Sequence, residues 1–263
     1  MKPALSALAL IALSAPAAAQ EAGTQGDWDL VREGLSVSAV LGFEPAPNFI
    51  VRCSRDRLDV LITGLPPASA DTLSRPIEMR WDDDEPTKPN WQPLSSKIVA
   101  SRFPAWHARM LRQGGSLRML VRSEADQPGS EYRLDIPPSP GAIDTVLEAC
   151  DTPLTDARDA LMREAVDPAL ALAADWSRRP TPVFPQAAQS AGIEAGTAQL
   201  LCQVSPEGRF SSCEVQSEFP PGGGFGEASV ASMRNARLAP GSVVPADGQT
   251  SGLFTPMLRY RIR

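Results

Sequence analysis

Two cysteines on the arms of one short hairpin are the residues of this sequence with the clearest chemical potential. Cys202 and Cys213 flank a turn at residues 205–208 and could form a redox pair, half of a zinc site or a structural disulfide. They lack C-x-x-C spacing, and the single histidine of the chain cannot complete a zinc site with them. The pattern therefore favours a disulfide, with Gly208 at positive φ and a bulge near Ser211-Ser212 that brings the two cysteines together.

Cys53 and Cys150 raise the count to four cysteines, an even number that indicates disulfides in a protein exported to an oxidising compartment. Four cysteines allow three pairings, and the sequence alone does not choose among them. If the two halves of the chain fold independently, the pairs are Cys53–Cys150 and Cys202–Cys213. The longer loop would restrict the unfolded chain by about 4–5 kcal/mol in the entropy model.

His107 is the only histidine, so a Ser-His-Asp or Cys-His catalytic arrangement would have to use it. It follows Trp106 on a predicted short helix, and no G-x-S-x-G motif accompanies it. We therefore expect a packed or exposed helix residue here, no catalytic residue and no enzymatic activity. An enzyme that uses the N-terminal half is the alternative.

The acidic run Asp82–Glu85 could bind a hard cation, and the Gly-rich residues 222–226 precede a predicted helix, as phosphate-binding loops do. The acids are contiguous with no glycine after them, and no Lys-Ser/Thr or dinucleotide spacing follows the glycines. A solvated turn and a loop are favoured, so we expect neither a metal nor a cofactor. Core and interface packing, rather than a ligand-stacking surface, is expected for the five tryptophans, Trp28, Trp81, Trp91, Trp106 and Trp176.

The elements that must position these residues form a β-rich first half. Alternating or β-rich runs predict strands at residues 49–51, 58–62, 77–81, 117–121 and 132–136. Helices are predicted at 105–113 and at 141–150, where apolar residues recur at helical spacing. Residues 27–150 are therefore expected to form a β-rich domain that a helix closes.

The remaining chain differs in pattern. Residues 151–182 predict helices at 155–166 and 169–176 and then a Pro-rich linker. Residues 183–263 predict a helix at 186–191, the hairpin, a helix at 227–236 and a closing strand at 253–262. The predicted fold class is α+β: a β-rich domain, a helical connector, and a small C-terminal domain with a three-stranded antiparallel sheet and two helices.

The first residues and the overall charge limit the location and the partners. Residues 1–19 combine Lys2, a short apolar run and a final Ala17–Ala19, the layout of a cleavable secretory signal peptide. Its removal takes away one base and no acid, which leaves 24 basic against 31 acidic side chains, a charge of −7. We expect an exported, periplasmic protein that has no membrane span after cleavage and does not bind nucleic acid. The oligomeric state is left open.

The C-terminal segment resembles the TonB C-terminal domain of bacterial energy transducers. The shared landmarks are spread in order over residues 183–263: Phe184-Pro185, Ala188, Gly192-Ile193, Gly196, Gly208, Val215, Phe225, Ala228, Arg237-Leu238-Ala239-Pro240, Pro256 and Tyr260-Arg261-Ile262. The resemblance implies a small periplasmic domain that binds an extended segment of an outer-membrane transporter by adding a strand at a sheet edge. It would link the chain to TonB-type transport across the outer membrane, although family members carry a membrane anchor and a Pro-rich spacer where this chain has a signal and a globular domain.

The first domain is similar to VasI-like periplasmic accessory proteins of type VI secretion. The shared residues are Val51-Arg52-Cys53, Leu58-Asp59-Val60, Trp81, Trp91 and Ala149-Cys150. This resemblance gives the second functional hypothesis, a secretion-associated accessory protein. The first hypothesis is a non-enzymatic protein that binds an extended peptide, an outer-membrane transporter or a cell-wall component.

Overall fold

The structure, a computed structural model, describes residues 20–21, 27–45, 47–69, 72–122, 129–243 and 251–262. The predicted signal peptide, residues 1–19, lies outside them. Strands take 41% of the described residues and helices 20%, so the protein is mostly β and the predicted α+β class is wrong. The prediction missed strands with mixed polar composition, whose partners along the sheet determine their conformation more than their own residues do.

A curled antiparallel sheet of nine strands dominates the structure, and a short strand, β1 (Gln20–Glu21), extends it in parallel at one edge. The nine strands are β2 (Asp29–Glu33), β3 (Ser36–Leu41), β4 (Asn48–Ser54), β5 (Arg57–Thr63), β6 (Arg75–Trp81), β7 (Asn90–Ser95), β8 (Ile98–Ala100), β9 (Gly115–Val121) and β10 (Ser130–Ile136). Their order across the sheet is β1-β10-β9-β6-β7-β8-β5-β4-β3-β2. The five predicted strands correspond to β4, β5, β6, β9 and β10.

Helices α1 (Pro104–Gln113) and α2 (Ala142–Ala149) match the two helices predicted for the first half. Every second residue of β4 is buried, so Phe49, Val51 and Cys53 point into the core that α2 covers. The Cys53–Cys150 disulfide joins β4 to the end of α2, with Cα atoms 5.6 Å apart. The predicted pairing is therefore present, and it fixes the covering helix to the sheet.

The predicted helical connector is wrong as an architecture. Only α3 (Asp159–Ala165) and α4 (Pro168–Ala173) are helical, and the chain then forms a strand, β11 (Trp176–Arg178), that pairs with β14 (Arg237–Leu238). Trp176 leaves the predicted helix because its ring packs against Phe210 and Phe254. The segment is thus packed into the fold rather than linking two separate units.

The second sheet has four strands where three were predicted. Its central strand β12 (Ala195–Val204) pairs with β13 (Phe210–Phe219) on one side and with β15 (Gly252–Phe254) and β16 (Met257–Arg261) on the other. The predicted closing strand is interrupted at Thr255 and Pro256, although the Pro256 carbonyl still accepts a hydrogen bond from the Leu200 N–H. Two helices accompany this sheet, α5 (Gln186–Ser190) and α6 (Phe225–Met233).

Both faces of the second sheet are buried, as the nearly continuous burial of β12 shows. Leu200 faces α6, where it belongs to the same apolar cluster as Phe225. The next residue, Leu201, points the other way and packs with Phe103 and Met162 of the preceding part of the chain. The second sheet therefore lies between α6 on one face and α1 and α3 on the other.

The hairpin between β12 and β13 has the predicted geometry. Cys202 lies directly opposite Cys213 with a Cα separation of 4.1 Å, and the two form a disulfide. Ser211 is the extra residue of a bulge. Gly208 has φ +77°, and a Cβ added there would lie 2.1 Å from the Leu238 carbonyl oxygen, so only glycine fits this turn.

Candidate functional site

The single histidine lies in the core of the protein. The side chain of His107 is 3% exposed and packs between the rings of Trp91 and Trp106. Ser101 Oγ lies 2.6 Å from Nδ1 and accepts a hydrogen bond from the Phe103 N–H. Burial lowers the pKa of His107 to about 3, so the imidazole is neutral, and its tautomer determines which of Nδ1 and the serine hydroxyl donates the hydrogen bond. The hydrogen bond between Ser101, which follows β8, and His107 of α1 therefore holds the start of α1 next to the sheet.

The acidic run and the Gly-rich loop are engaged in internal contacts. Asp82 accepts a hydrogen bond from the Ser116 N–H, and Asp84 forms an ion pair with Arg163 of α3. Glu218 accepts hydrogen bonds from the N–H groups of Gly224 and Gly226, so a carboxylate of the chain itself occupies the start of α6. Within the described residues, no group of three or more His, Cys, Asp or Glu side chains is arranged to hold a metal ion.

We call the curled sheet with α1 and α2 the first part of the protein, and the second sheet with α5 and α6 the second part. An ion-pair cluster connects the two parts. Arg109, which is 5% exposed, donates to both carboxylate oxygens of Asp159 at 2.6 and 2.7 Å. Arg158 binds Asp156 and reaches Glu214 of β13 at 2.9 Å. The hydrogen bonds from Arg158 lower the pKa of Asp156 to about 2. These carboxylates have internal partners, so the cluster holds α1, α3 and β13 together.

An open groove is lined in part by residues of β16. We call it the β16 groove; its volume is about 380 Å³, and its walls include Trp176, Arg179, Pro180, Pro182, Met257 and Arg259. Trp176 is held in place by its contacts with Phe210 and Phe254, and the prolines stiffen the lining. The groove is large enough for several side chains of an extended segment.

The backbone of β16 offers hydrogen-bonding groups to this groove. The Ile262 N–H donates to the Glu194 carbonyl on the β12 side, and in an antiparallel pair the direction alternates with each residue. The N–H and C=O groups of Met257, Arg259 and Arg261 therefore point away from β12. None of these three residues has a strand partner on that side among the residues that the structure describes.

The charge of the β16 groove is positive, although the chain as a whole is acidic. Its lining contains Arg179 and Arg259 and no acidic residue, and neither arginine has an ion-pair partner in the described part of the chain. A third arginine, Arg102, is 2% exposed and does not line this groove, but it lies close enough to Arg259 for the two charges to repel each other. Its Nη1 donates to the hydroxyl of Thr197, the residue directly opposite Arg259 on β12.

Arg102 is a buried cation without a carboxylate partner among the described residues. Its other contacts are the Leu73 carbonyl and the Gln92 amide oxygen, and its Nε has no hydrogen-bond partner there. Burial, followed by repulsion from Arg259, lowers the pKa of Arg102 to about 10. The electrostatic potential at this end of the second sheet is therefore positive, because neither Arg102 nor Arg259 has a carboxylate partner among the described residues.

A second groove of about 310 Å³ lies between β13 and the surface of β5, β7 and β8. Four of its five charged residues have charged or helix-terminus partners, since Arg52 and Arg57 both bind Asp59 and the Glu218 carboxylate binds the start of α6. The fifth is Arg102, whose partners are neutral. The exposed Leu94 contributes apolar surface. β13 is also an edge strand of the second sheet, so this groove differs from the β16 groove mainly in charge: the carboxylates of Asp59 and Glu218 line it.

Sequence reasoning missed the arginines of the β16 groove. Arg179 lies in a segment that was interpreted only as a linker, and Arg102 precedes a helix with no local motif. One signal was available for Arg259: in the closing strand, Met257, Arg259 and Arg261 alternate with the buried Leu258 and Tyr260. That alternation predicts one buried face and one polar face for β16.

No known protein family and no curated protein matches the chain. The resemblances to the TonB C-terminal domain and to VasI-like proteins therefore stay predictions. The two disulfides are compatible with an extracellular or periplasmic protein. Among the described residues, no helix is both long and apolar enough to cross a membrane.

Proposed function

We propose that this is a non-enzymatic protein of the periplasm that binds an extended polypeptide segment of an envelope partner by strand addition at β16. The observation that carries the proposal is the free backbone row of Met257, Arg259 and Arg261 beside an open groove. Strand addition obtains its affinity mainly from backbone hydrogen bonds, and pockets for alternate side chains add selectivity. The edge of β16 supplies the backbone groups, and the β16 groove supplies a pocket for side chains.

The surroundings of β16 support this use of the edge. The opposite side of the strand is held by β12, and its buried face is anchored by Leu258 and Tyr260 in the cluster around α6. Tyr260 Oη also lies 2.8 Å from the buried Ser229 hydroxyl. The edge of β16 is thus ordered before a partner adds a strand, so binding would cost little conformational entropy at this edge.

The test begins with a library of random twelve-residue peptides displayed on phage and selected on the chain without residues 1–19. The peptides recovered are then titrated against two variants, Arg259→Ala and Arg259→Pro. Both variants lack the guanidinium, and only Arg259→Pro also lacks the outward N–H. We expect Arg259→Pro to bind at least about tenfold more weakly than Arg259→Ala, the effect of one lost hydrogen bond with its steric consequences.

Thermal unfolding of the two variants provides the control. The N–H of residue 259 points away from β12, so its loss leaves the ladder between β12 and β16 intact and both variants should unfold near the same temperature. Equal affinities of the two variants for every selected peptide would exclude strand addition at β16. A selection that recovers no binding peptide would contradict the proposed function as a whole.

A further inference from the structure

The positive charge of the β16 groove indicates which extended segments it would prefer. Two exposed arginines, Arg179 and Arg259, both line the groove and have no ion-pair partner among the described residues. The buried Arg102 adds a third charge near Arg259 and has only neutral partners there. The chain as a whole has more acidic than basic residues, so the lining of this groove differs in charge from the average of the protein.

The geometry of strand addition determines which side chains of a partner would meet this charge. Side chains of an added strand alternate between the two faces of the sheet, so every second one lies on the face of Met257 and Arg259. That face is the one that the groove borders, while Leu258 and Tyr260 occupy the other face with α6. A carboxylate in a face-matched position would therefore come close to Arg259 and to Arg179, which lines the same groove.

We propose, on the basis of the proposed function, that the β16 groove selects extended segments with carboxylate side chains at alternate positions, which Arg259 and Arg179 bind. Arg102 also favours an acidic segment, because a carboxylate bound at Arg259 also compensates the buried positive charge of Arg102 next to it. The apolar side chains of Trp176 and Met257 line the same groove and contact the aliphatic stems of the acidic side chains. The partner class is thus an acidic, β-prone segment rather than a neutral or basic one.

The experiment measures the fluorescence anisotropy of two labelled peptides with the chain without residues 1–19. The first is acetyl-Ser-Val-Glu-Val-Glu-Val-Ser-amide, and the second has glutamine in place of both glutamates. We expect the glutamate peptide to bind about tenfold more tightly at low salt, the effect of a charge-assisted contact, and the ratio to fall as salt screens the charges.

Single-charge variants assign the preference to the groove. Arg259→Gln and Arg179→Gln should each reduce the ratio between the two peptides to about threefold or less. Arg178→Gln is the matched control, because it removes the same charge one residue away, from a side chain that does not line the groove, and it should leave the ratio unchanged.

Each outcome separates this inference from the proposed function. Equal binding of both peptides, or a preference that Arg259→Gln and Arg179→Gln leave intact, overturns the inference while strand addition stands. The same conclusion holds if neither peptide binds although the phage selection recovers binders that depend on the Arg259 N–H. If that selection recovers none, the proposed function fails and the inference fails with it.

Discussion

The two parts of the molecule bury their apolar residues in different ways. The first part covers its curled sheet with α2 and encloses a large core of its own, which includes Phe49, Ile77 and Leu147. The second sheet has a small core against α6, and its other face is covered only by residues of the first part and of α3. The second sheet thus packs against the first part over one face, and this packing determines where the edge of β16 points.

The largest expected difference between the parts concerns their disulfides. Cys53–Cys150 spans 97 residues and Cys202–Cys213 spans 11, so loop-closure entropy predicts unequal contributions. Replacing Cys53 and Cys150 by alanine should lower the free energy of unfolding by about 4–5 kcal/mol, against about 3 kcal/mol at most for Cys202 and Cys213. Urea unfolding followed by tryptophan fluorescence measures both, and a reversed order would show that the second part depends more on its own crosslink.

Two adjacent leucines on β12 test whether the interface stabilises the second part. Leu200 faces α6 and Leu201 faces the first part, and both are buried. Leu200→Ala and Leu201→Ala should each cost about 2–5 kcal/mol of unfolding free energy, because each leaves a cavity in a packed cluster. A loss below about 1 kcal/mol for Leu201→Ala alone, measured by the same urea titration, would mean that the second sheet folds without its neighbour.

The third prediction concerns pH and the buried histidine of the first part. The pKa of His107 is about 3 in the folded protein and about 6.5 when unfolded, so between these values only the unfolded chain binds the proton. Stability should therefore fall by about 1.4 kcal/mol for each pH unit below 6.5.

The variant His107→Gln is the control, since it cannot take up this proton. Its urea unfolding midpoint should depend less on pH between 6.5 and 4 than that of the unchanged chain. The loss of stability that Asp156 contributes belongs to a lower window, because its folded pKa is about 2 and its unfolded value about 3.8. Identical slopes for the two proteins would show that His107 is protonated in the folded state.

The sequence predicted those elements that carry their own signal. The hairpin around Gly208, its bulge and its disulfide follow from local residues and were correctly predicted. Helices α1 and α2 have helical apolar spacing and were also found. By contrast, β2, whose residues are all exposed, and β11, which pairs with residues about 60 positions away, have no local pattern.

The candidate site was less predictable than the fold, for a related reason. The β16 groove joins residues from the connector, from the segment before α1 and from the closing strand, and only the packed chain brings them together. The charge of Arg102 became significant only once its burial was known. The resemblance to the TonB C-terminal domain predicted that an edge strand binds a partner, which stays a prediction, and it did not indicate which charges lie beside that strand.

The exposed edge of β16 also bears on aggregation. An unpaired strand edge can pair with the same strand of a second copy, and charged residues or prolines commonly prevent such pairing. Here Pro256 precedes the edge, and a β16–β16 contact would bring two arginines of each copy, Arg259 and Arg261, close together. The same charges that would attract an acidic segment would therefore disfavour pairing of β16 with a second copy of itself.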